Sequence, residues 1–128
     1  SVHNYGIWWY EQIPNDTSVV WRKHVIYDQF SQCHALAMAD VNGDNLPDLV
    51  TGKRYLAHNG KDPGGLEAPV LYVFTLHRDA ANRPYWIPHL VDDDSGAGMQ
   101  VLVVDANKDG KKDIITGNKK GLFFFEQM

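Results

Sequence analysis

The chain contains few of the residues and patterns on which several common protein classes depend. Cys33 is the single cysteine, so an internal disulfide is excluded and the cellular compartment is left undecided. No apolar run approaches the roughly 20 residues of a membrane-spanning helix, and no signal peptide is visible. Twelve basic and sixteen acidic residues give a formal net charge of -4. Binding of a polyanion through bulk charge is therefore not expected, and nucleic acid is not a predicted partner.

Motifs of the familiar enzyme classes are also missing. The sequence has no Gly-rich phosphate loop, no nucleophile elbow, no His-Glu-x-x-His pair and no paired cysteines. No segment has the periodicity of a long amphipathic helix. What is present is a chain of 128 residues, 44% of them hydrophobic, with short strand-like runs separated by turn residues. This pattern predicts one all-β globular unit.

A short stretch rich in aspartate and asparagine is the most informative part of the chain. Between Asp40 and Asp48, side-chain oxygens fall at positions 1, 3, 5 and 9, and position 7 offers a backbone carbonyl. This is the spacing of a loop that binds Ca²⁺ through oxygen ligands, and a second copy spans residues 105–113. Two Ca²⁺ sites are predicted, with Mg²⁺ as the alternative ion. Their ligands are Asp40, Asn42, Asp44, Leu46 and Asp48 in the first copy, and Asp105, Asn107, Asp109, Lys111 and Asp113 in the second.

The residues that flank the two loops exclude an EF-hand. Position 12 is Thr51 in one copy and Thr116 in the other, where an EF-hand has a bidentate Glu. The neighbouring runs are typical of β-strands rather than helices. Each metal ion is therefore predicted to hold a strand-to-strand turn together by offsetting repulsion between the acidic side chains.

The two loops belong to a longer internal repeat whose copies are 65 positions apart and in register without a gap from residue 21 to residue 52. The residues that recur are Trp21, His24, Asp40, Asp48 and Gly52, matched by Trp86, His89, Asp105, Asp113 and Gly117. A residue that occupies the same place in both copies serves the scaffold more often than a specific function. The Trp-x-x-His pairs are interpreted as scaffold on this ground.

The strand content of each repeat is that of a β-propeller blade, with an inner strand that enters the metal loop. The predicted fold is all-β, with about two four-stranded antiparallel blades plus a partial one, in a single repeat module over residues 1–128. The partial blade covers 4–27, the full repeat 35–91 and the final blade 99–127. A propeller needs about 4 to 8 blades. The chain is therefore expected to be a fragment of a larger ring, or a protomer of a homo-oligomer in which copies complete one another.

Residues 40–52 and 105–117 resemble the FG-GAP or VCBS type of propeller repeat. Residues 52–64 and 118–127 indicate a narrower subgroup of this family. They resemble the last blades of proteins similar to the propeller part of aldos-2-ulose dehydratase. The resemblance implies calcium-binding blades that recognise a carbohydrate or a protein partner, in an extracellular or periplasmic location. Lys108 stands where the family has Gly, at a position that provides no side-chain ligand.

Residues that occur in only one of the two repeats are the candidates for a specific function. They lie just before an inner strand and in an insertion that extends to about Pro69. A histidine base beside a cationic pair can abstract a proton next to a carbonyl, which is the chemistry of a sugar lyase or dehydratase. The candidate catalytic residues are His34, Lys53, Arg54, Tyr55 and His58. Two alternatives stay open: solvated side chains without a site, and a purely structural role as the closing blades of a larger protein.

Overall fold

The computed structural model describes residues 3–128, which form β-strands joined by turns. The strands are β1 (Tyr5–Ile13), β2 (Val20–Ser31), β3 (Cys33–Ala39), β4 (Asp48–Lys53), β5 (Leu71–Arg78), β6 (Pro84–Asp92), β7 (Val101–Val104), β8 (Asp113–Asn118) and β9 (Gly121–Phe125). One short 3₁₀ turn, Ala57–Gly60, lies between β4 and β5. Within this described range, no helix has the length and apolar character needed to cross a membrane. The predicted all-β class is confirmed.

The strands form three antiparallel sheets, ordered β1-β2, β3-β4-β5-β6 and β7-β8-β9. Strands adjacent in the chain are adjacent in each sheet, so every sheet is a simple meander. The predicted blades are confirmed only at this coarser level, as antiparallel sheets of two, four and three strands. Over residues 3–128 the sheets do not close into a ring.

Strand β4 is the centre of the fold, because all six of its residues are buried. Successive side chains of a strand point to opposite faces of its sheet. Leu49 accordingly packs in a cluster with Ile7, Phe30 and Phe74, between the first and second sheets. Val50 packs in the other cluster, which contains Leu71 of β5 and Ile114 of β8 and lies between the second and third sheets. The three sheets are thus joined by two apolar layers.

The layer between the first and second sheets is mainly aromatic. Phe30 stacks on Tyr72 with ring centroids 5.6 Å apart, and Tyr27 lies 5.3 Å from both Tyr72 and Phe74. The Tyr27 hydroxyl donates to that of Tyr72 at 3.4 Å, and this bond together with burial raises the pKa of Tyr27 to about 12. Trp86 also packs against this layer, and its indole N–H is buried without a hydrogen-bond partner among residues 3–128.

The connections between strands lie at two ends of the molecule. The β3–β4 loop (residues 40–47) and the β7–β8 loop (residues 105–112) lie at the first end, on the two sides of a cleft of about 640 Å³. The β4–β5 connection (residues 54–70) lies at the second end, together with the starts of β3 and β7. These are called the aspartate-loop end and the insertion end below.

Candidate functional site

The two aspartate-rich loops share a set of hydrogen bonds, to which the first loop adds one from the Gly43 N–H to Asp40 Oδ1 at 2.7 Å. In the first loop, Asp40 accepts the backbone N–H groups of Asp44 and Asn45, at 3.2 and 2.8 Å. The equivalent bonds to Asp105 in the second loop measure 3.1 and 2.9 Å. In each loop the aspartate at position 1 therefore accepts hydrogen bonds from the backbone at positions 5 and 6. Two segments 65 residues apart adopt one conformation because they place the same acceptors in the same order.

The hydrogen bonds at positions 3 and 5 are also alike in the two loops. Asn42 Oδ1 accepts the Asp44 N–H at 3.1 Å, and Asp44 Oδ1 accepts the Leu46 N–H at 2.8 Å. The matching distances in the second loop are 3.0 and 2.8 Å. Position 4 is left-handed in both loops, with φ of 78° at Gly43 and 66° at Lys108. Lys108 therefore carries a backbone strain that Gly43 avoids.

The aspartate at position 9 has a different environment. Asp48 is fully buried and accepts two backbone N–H groups at 2.9 Å, from Val41 in its own loop and from Leu76 in β5. Asp113, also fully buried, accepts the equivalent pair at 3.0 and 3.1 Å. Asp48 thus joins its loop to β5, and Asp113 joins its loop to the segment after β9. Both carboxylates therefore have a structural role whether or not a metal ion is bound.

The charge and chemistry of the loops suit a hard cation. Each loop carries three carboxylates, and across residues 3–128 none of the six has a Lys, Arg or His nitrogen within 4.0 Å. Backbone N–H groups, first those of Asn45 and Lys111, hold the pKa of Asp40 and Asp109 below the usual value. Both carboxylates are therefore anionic near neutral pH. Carboxylate, amide and carbonyl oxygens are the ligands that Ca²⁺ and Mg²⁺ prefer.

The loop carboxylates are spread apart. In the described part of the chain, no three of them have oxygens that all lie within 4.8 Å of one another. An ion bound in a loop would draw the side chains at positions 1, 3 and 5 inward. The acceptor at position 9 is already fixed by its two backbone bonds.

At the insertion end, Arg54 and Tyr55 line a cleft of about 510 Å³. Its other wall includes Gln100 just before β7, Asn118 at the end of β8 and Lys119 just after it. This pocket is called the Arg54 cleft below. It brings an aromatic ring together with two cationic and two amide side chains, which are groups that bind hydroxyl and carboxylate oxygens.

His34 opens on a neighbouring cleft of about 650 Å³, whose lining includes the apolar side chains of Leu36, Leu102 and Leu122. The two clefts share Met99, Gln100 and Gly117. The structure thus places His34 near Arg54 and Tyr55 without bringing all three side chains into one pocket.

Lys53 lies away from both clefts and is only 1% exposed. Its ammonium donates to Ser31 Oγ at 2.9 Å and to Gln32 Oε1 at 3.3 Å. Burial lowers the pKa of Lys53, and the nearby carboxylates of Glu67 and Asp62 act in the opposite direction. The Lys53 ammonium is therefore used in buried contacts with Ser31 and Gln32. It does not line the cleft on which His34 opens.

His58 belongs to a further group at the insertion end. Its Nδ1 lies 2.8 Å from Asp62 Oδ2, and its ring centroid lies 4.7 Å from that of His3. His3 also stacks with His34 at 5.8 Å. His3 and Asp62 were not among the site residues predicted from the sequence. The spacing of four residues between His58 and Asp62 was the only local signal, because His3 reaches the group through the tertiary fold.

Comparison with known proteins gives no assignment, since no family model, no curated protein and no solved structure matches the chain.

Proposed function

We propose that this chain is a calcium-binding module built from propeller-type repeats of the FG-GAP or VCBS kind, and that its insertion end recognises a carbohydrate. The observation that carries the proposal is the pair of aspartate-rich loops with one hydrogen-bond pattern and no cationic partner. The three carboxylates of each loop repel one another, and a divalent cation in each loop would offset that repulsion.

The ligands of each ion follow from the loop positions. In the first loop they are the side chains of Asp40, Asn42, Asp44 and Asp48 with the Leu46 carbonyl, completed by water. The second loop offers Asp105, Asn107, Asp109 and Asp113 with the Lys111 carbonyl. Exposed loops of this kind suit the submillimolar to millimolar calcium affinities of extracellular modules. An extracellular or periplasmic location is part of the proposal.

Carbohydrate recognition is assigned to the Arg54 cleft. Arg54 and Lys119 can bind a sugar carboxylate or several hydroxyls, and the Tyr55 ring offers an apolar face to a pyranose ring. The Lys120 ammonium, which also pairs with Asp94, lies 5.5 Å from the centre of that ring in a cation–π contact. A protein partner that presents an acidic side chain is the alternative ligand.

The three sheets are proposed to be successive blades, with strands in the order C-D, A-B-C-D and A-B-C. The third sheet then lacks an outer strand beside β9, where Leu122 is 79% and Phe124 is 51% exposed. An apolar strand at a sheet edge needs a cover. Further blades, from copies of this chain or from a larger protein, would supply that strand and close the ring.

Binding is favoured over catalysis by the placement of the candidate catalytic residues. In a lyase or dehydratase, the base must reach the proton that it removes, and the cationic groups must reach the neighbouring substrate atoms. Lys53 is buried on Ser31 and Gln32, and His34 and Arg54 open on adjacent clefts. Only a substrate that extends across both clefts would meet His34 and Arg54 together.

The test is a titration of the calcium-loaded chain with neutral and acidic oligosaccharides, followed by NMR chemical shifts. Arg54→Ala should weaken binding at least tenfold, because it removes the strongest donor of the cleft. Arg83→Ala is the matched control, since Arg83 pairs with Asp79 in the β5–β6 turn outside the cleft. An Arg54→Ala chain that binds as tightly as the Arg83→Ala chain would remove carbohydrate recognition from this cleft.

A further inference from the structure

Three side chains of the insertion end bring possible metal ligands together outside both aspartate-rich loops. One imidazole nitrogen each from His3 and His58 and one carboxylate oxygen from Asp62 all lie within 4.8 Å of one another. Among residues 3–128 this is the only group of three His, Cys, Asp or Glu residues with such spacing. The three residues come from the start of the chain, the 3₁₀ turn and the segment after it, so the fold rather than local sequence assembles them.

The backbone that presents His58 is strained. Leu56, His58 and Asn59 all have positive φ, at 44°, 48° and 56°, although none of them is glycine. Each such residue is less stable than ordinary backbone, because its Cβ comes too close to the following carbonyl oxygen. Strain of this kind persists only where the surrounding structure holds it, and it is concentrated at binding sites.

The insertion is anchored firmly enough to hold that conformation. Ser31 Oγ donates to the Pro63 carbonyl at 2.6 Å, and Lys119 Nζ donates to the Leu56 carbonyl at 3.2 Å. Gly64 fits so closely that an added Cβ would lie 2.5 Å from the Tyr5 hydroxyl and 2.7 Å from Ser31 Oγ. Contacts from β1, from the end of β2 and from the β8–β9 turn therefore fix the segment that carries His58 and Asp62.

Asp62 also has the supporting contact that a metal ligand needs. Its Oδ2 accepts from Gln32 Nε2 at 3.4 Å, and its side chain is only 16% exposed. Outer hydrogen bonds of this kind orient ligating carboxylates toward an ion. His58 is 57% exposed, so the group is open to solvent on one side and an ion can enter without rearrangement of the core.

We propose that His3, His58 and Asp62 form a binding site for one transition-metal ion of the Zn²⁺ class. Two imidazole nitrogens and one carboxylate oxygen suit Zn²⁺, Ni²⁺ or Cu²⁺, whereas Ca²⁺ takes oxygen ligands. Bonds of about 2.0–2.1 Å in a tetrahedron place ligand atoms about 3.3 Å apart. His58 Nδ1 and Asp62 Oδ2, now 2.8 Å apart, would separate by only about half an ångström.

A site with three protein ligands leaves the fourth position for water or a bound molecule, as in zinc sites that act on a ligand rather than stabilise a fold. His34 is the nearest further histidine, stacked on His3 at 5.8 Å, and it lines the cleft next to the Arg54 cleft. The inference does not rest on calcium binding, because the two kinds of site share no residue.

The test is calorimetric titration of the full chain with Zn²⁺ in saturating Ca²⁺, which occupies the aspartate-rich loops first. We expect one Zn²⁺ per chain. His58→Gln and Asp62→Asn should each weaken binding by more than about 100-fold, since changes outside the ligand shell already cost about 10–100-fold. His77→Gln is the matched control, because His77 bonds to Thr75 on β5 and lies outside the group.

Cobalt gives an independent measurement on the unaltered chain. Co²⁺ in a tetrahedral site absorbs strongly in the visible region, and this band should appear at one equivalent and disappear when Zn²⁺ is added. Absence of the band, or Zn²⁺ binding that is the same in the His58→Gln and His77→Gln chains, would overturn the proposal. Loss of Zn²⁺ binding when Ca²⁺ is present would do so too, because it would place the zinc in the aspartate-rich loops.

Discussion

Replacement of Asp48 by Asn separates the structural role of the loop from its role as a metal site. The carboxylate of Asp48 is fully buried, and each oxygen accepts one backbone N–H at 2.9 Å. Asparagine has nearly the same shape, but it offers one acceptor oxygen and turns an NH₂ group toward the second N–H. The Asp48→Asn chain therefore loses one hydrogen bond to a charged acceptor and leaves a buried donor without a partner.

The expected loss of stability follows from the missing hydrogen bond and the unpaired donor. A hydrogen bond to a charged group contributes about 1.5–3 kcal/mol, and an unsatisfied buried donor costs about 1–3 kcal/mol. Because the two figures overlap in what they count, we expect the free energy of unfolding to fall by about 2–4 kcal/mol. The loss should be present in chelator, before any metal is bound.

Asp44→Asn is the matched change at an exposed position of the same loop. Asp44 accepts the Leu46 N–H through Oδ1 at 2.8 Å and the exposed Asn42 side-chain amide through Oδ2 at 3.0 Å, and the amide oxygen of Asn can accept the first of these bonds. In chelator this variant should lose less than about 0.5 kcal/mol, the range of surface substitutions. In calcium it should lose the stabilisation that its own loop provides, which is about 2.7 kcal/mol for a ligand at 100 times its Kd.

Urea denaturation followed by circular dichroism, in chelator and in calcium, measures both variants. Equal stability of the Asp48→Asn and Asp44→Asn chains in chelator would refute the structural role of the buried carboxylate. A calcium effect that Asp44→Asn leaves intact would refute its place among the ligands.

Three further predictions concern other parts of the chain. Phe74→Ala should lower the free energy of unfolding by about 3–5 kcal/mol in urea denaturation, because it leaves a cavity in the aromatic layer, and Leu122→Ala at the exposed edge should cost far less. Burial raises the pKa of the Cys33 thiol, so iodoacetamide at pH 8 should modify Cys33 slowly in the native chain and rapidly in urea, as followed by mass spectrometry. Backbone N–H groups lower the pKa of Asp40 and Asp109, so their contribution is present above the ordinary value of 3.8 and is lost as the pH falls below it. The melting temperature in chelator should therefore fall as the pH is lowered from 4 to 2, and a flat profile would contradict this.

The strands and the loop conformations were predictable because their signals are local. Turn residues and apolar runs recur at one spacing, and the acceptors that shape the loops lie within nine residues of one another. The interpretation of the recurring histidines as scaffold agrees with their bonds, since His24 lies 2.9 Å from Glu11 and His89 lies 2.9 Å from Thr75. Both bonds join neighbouring strands of a hairpin.

The candidate site was harder to predict because it depends on contacts between distant residues. Lys53 has the sequence context of a surface cation, yet the ends of β2 and β4 converge and bury it on Ser31 and Gln32. His3 joins His58 across more than fifty residues, which no spacing rule anticipates. Pattern identifies the element that carries a side chain, whereas the packing of the sheets decides which side chains meet.

Calorimetric titration of the metal-free chain with Ca²⁺ is the most direct test of the central claim that the two aspartate-rich loops are equivalent calcium sites. The account predicts two ions per chain, one ion for Asp44→Asn or Asp109→Asn alone, and none for the double variant, with a melting temperature that rises with each ion bound. A metal-free chain that takes up no calcium, or a double variant that still binds two ions, would contradict it.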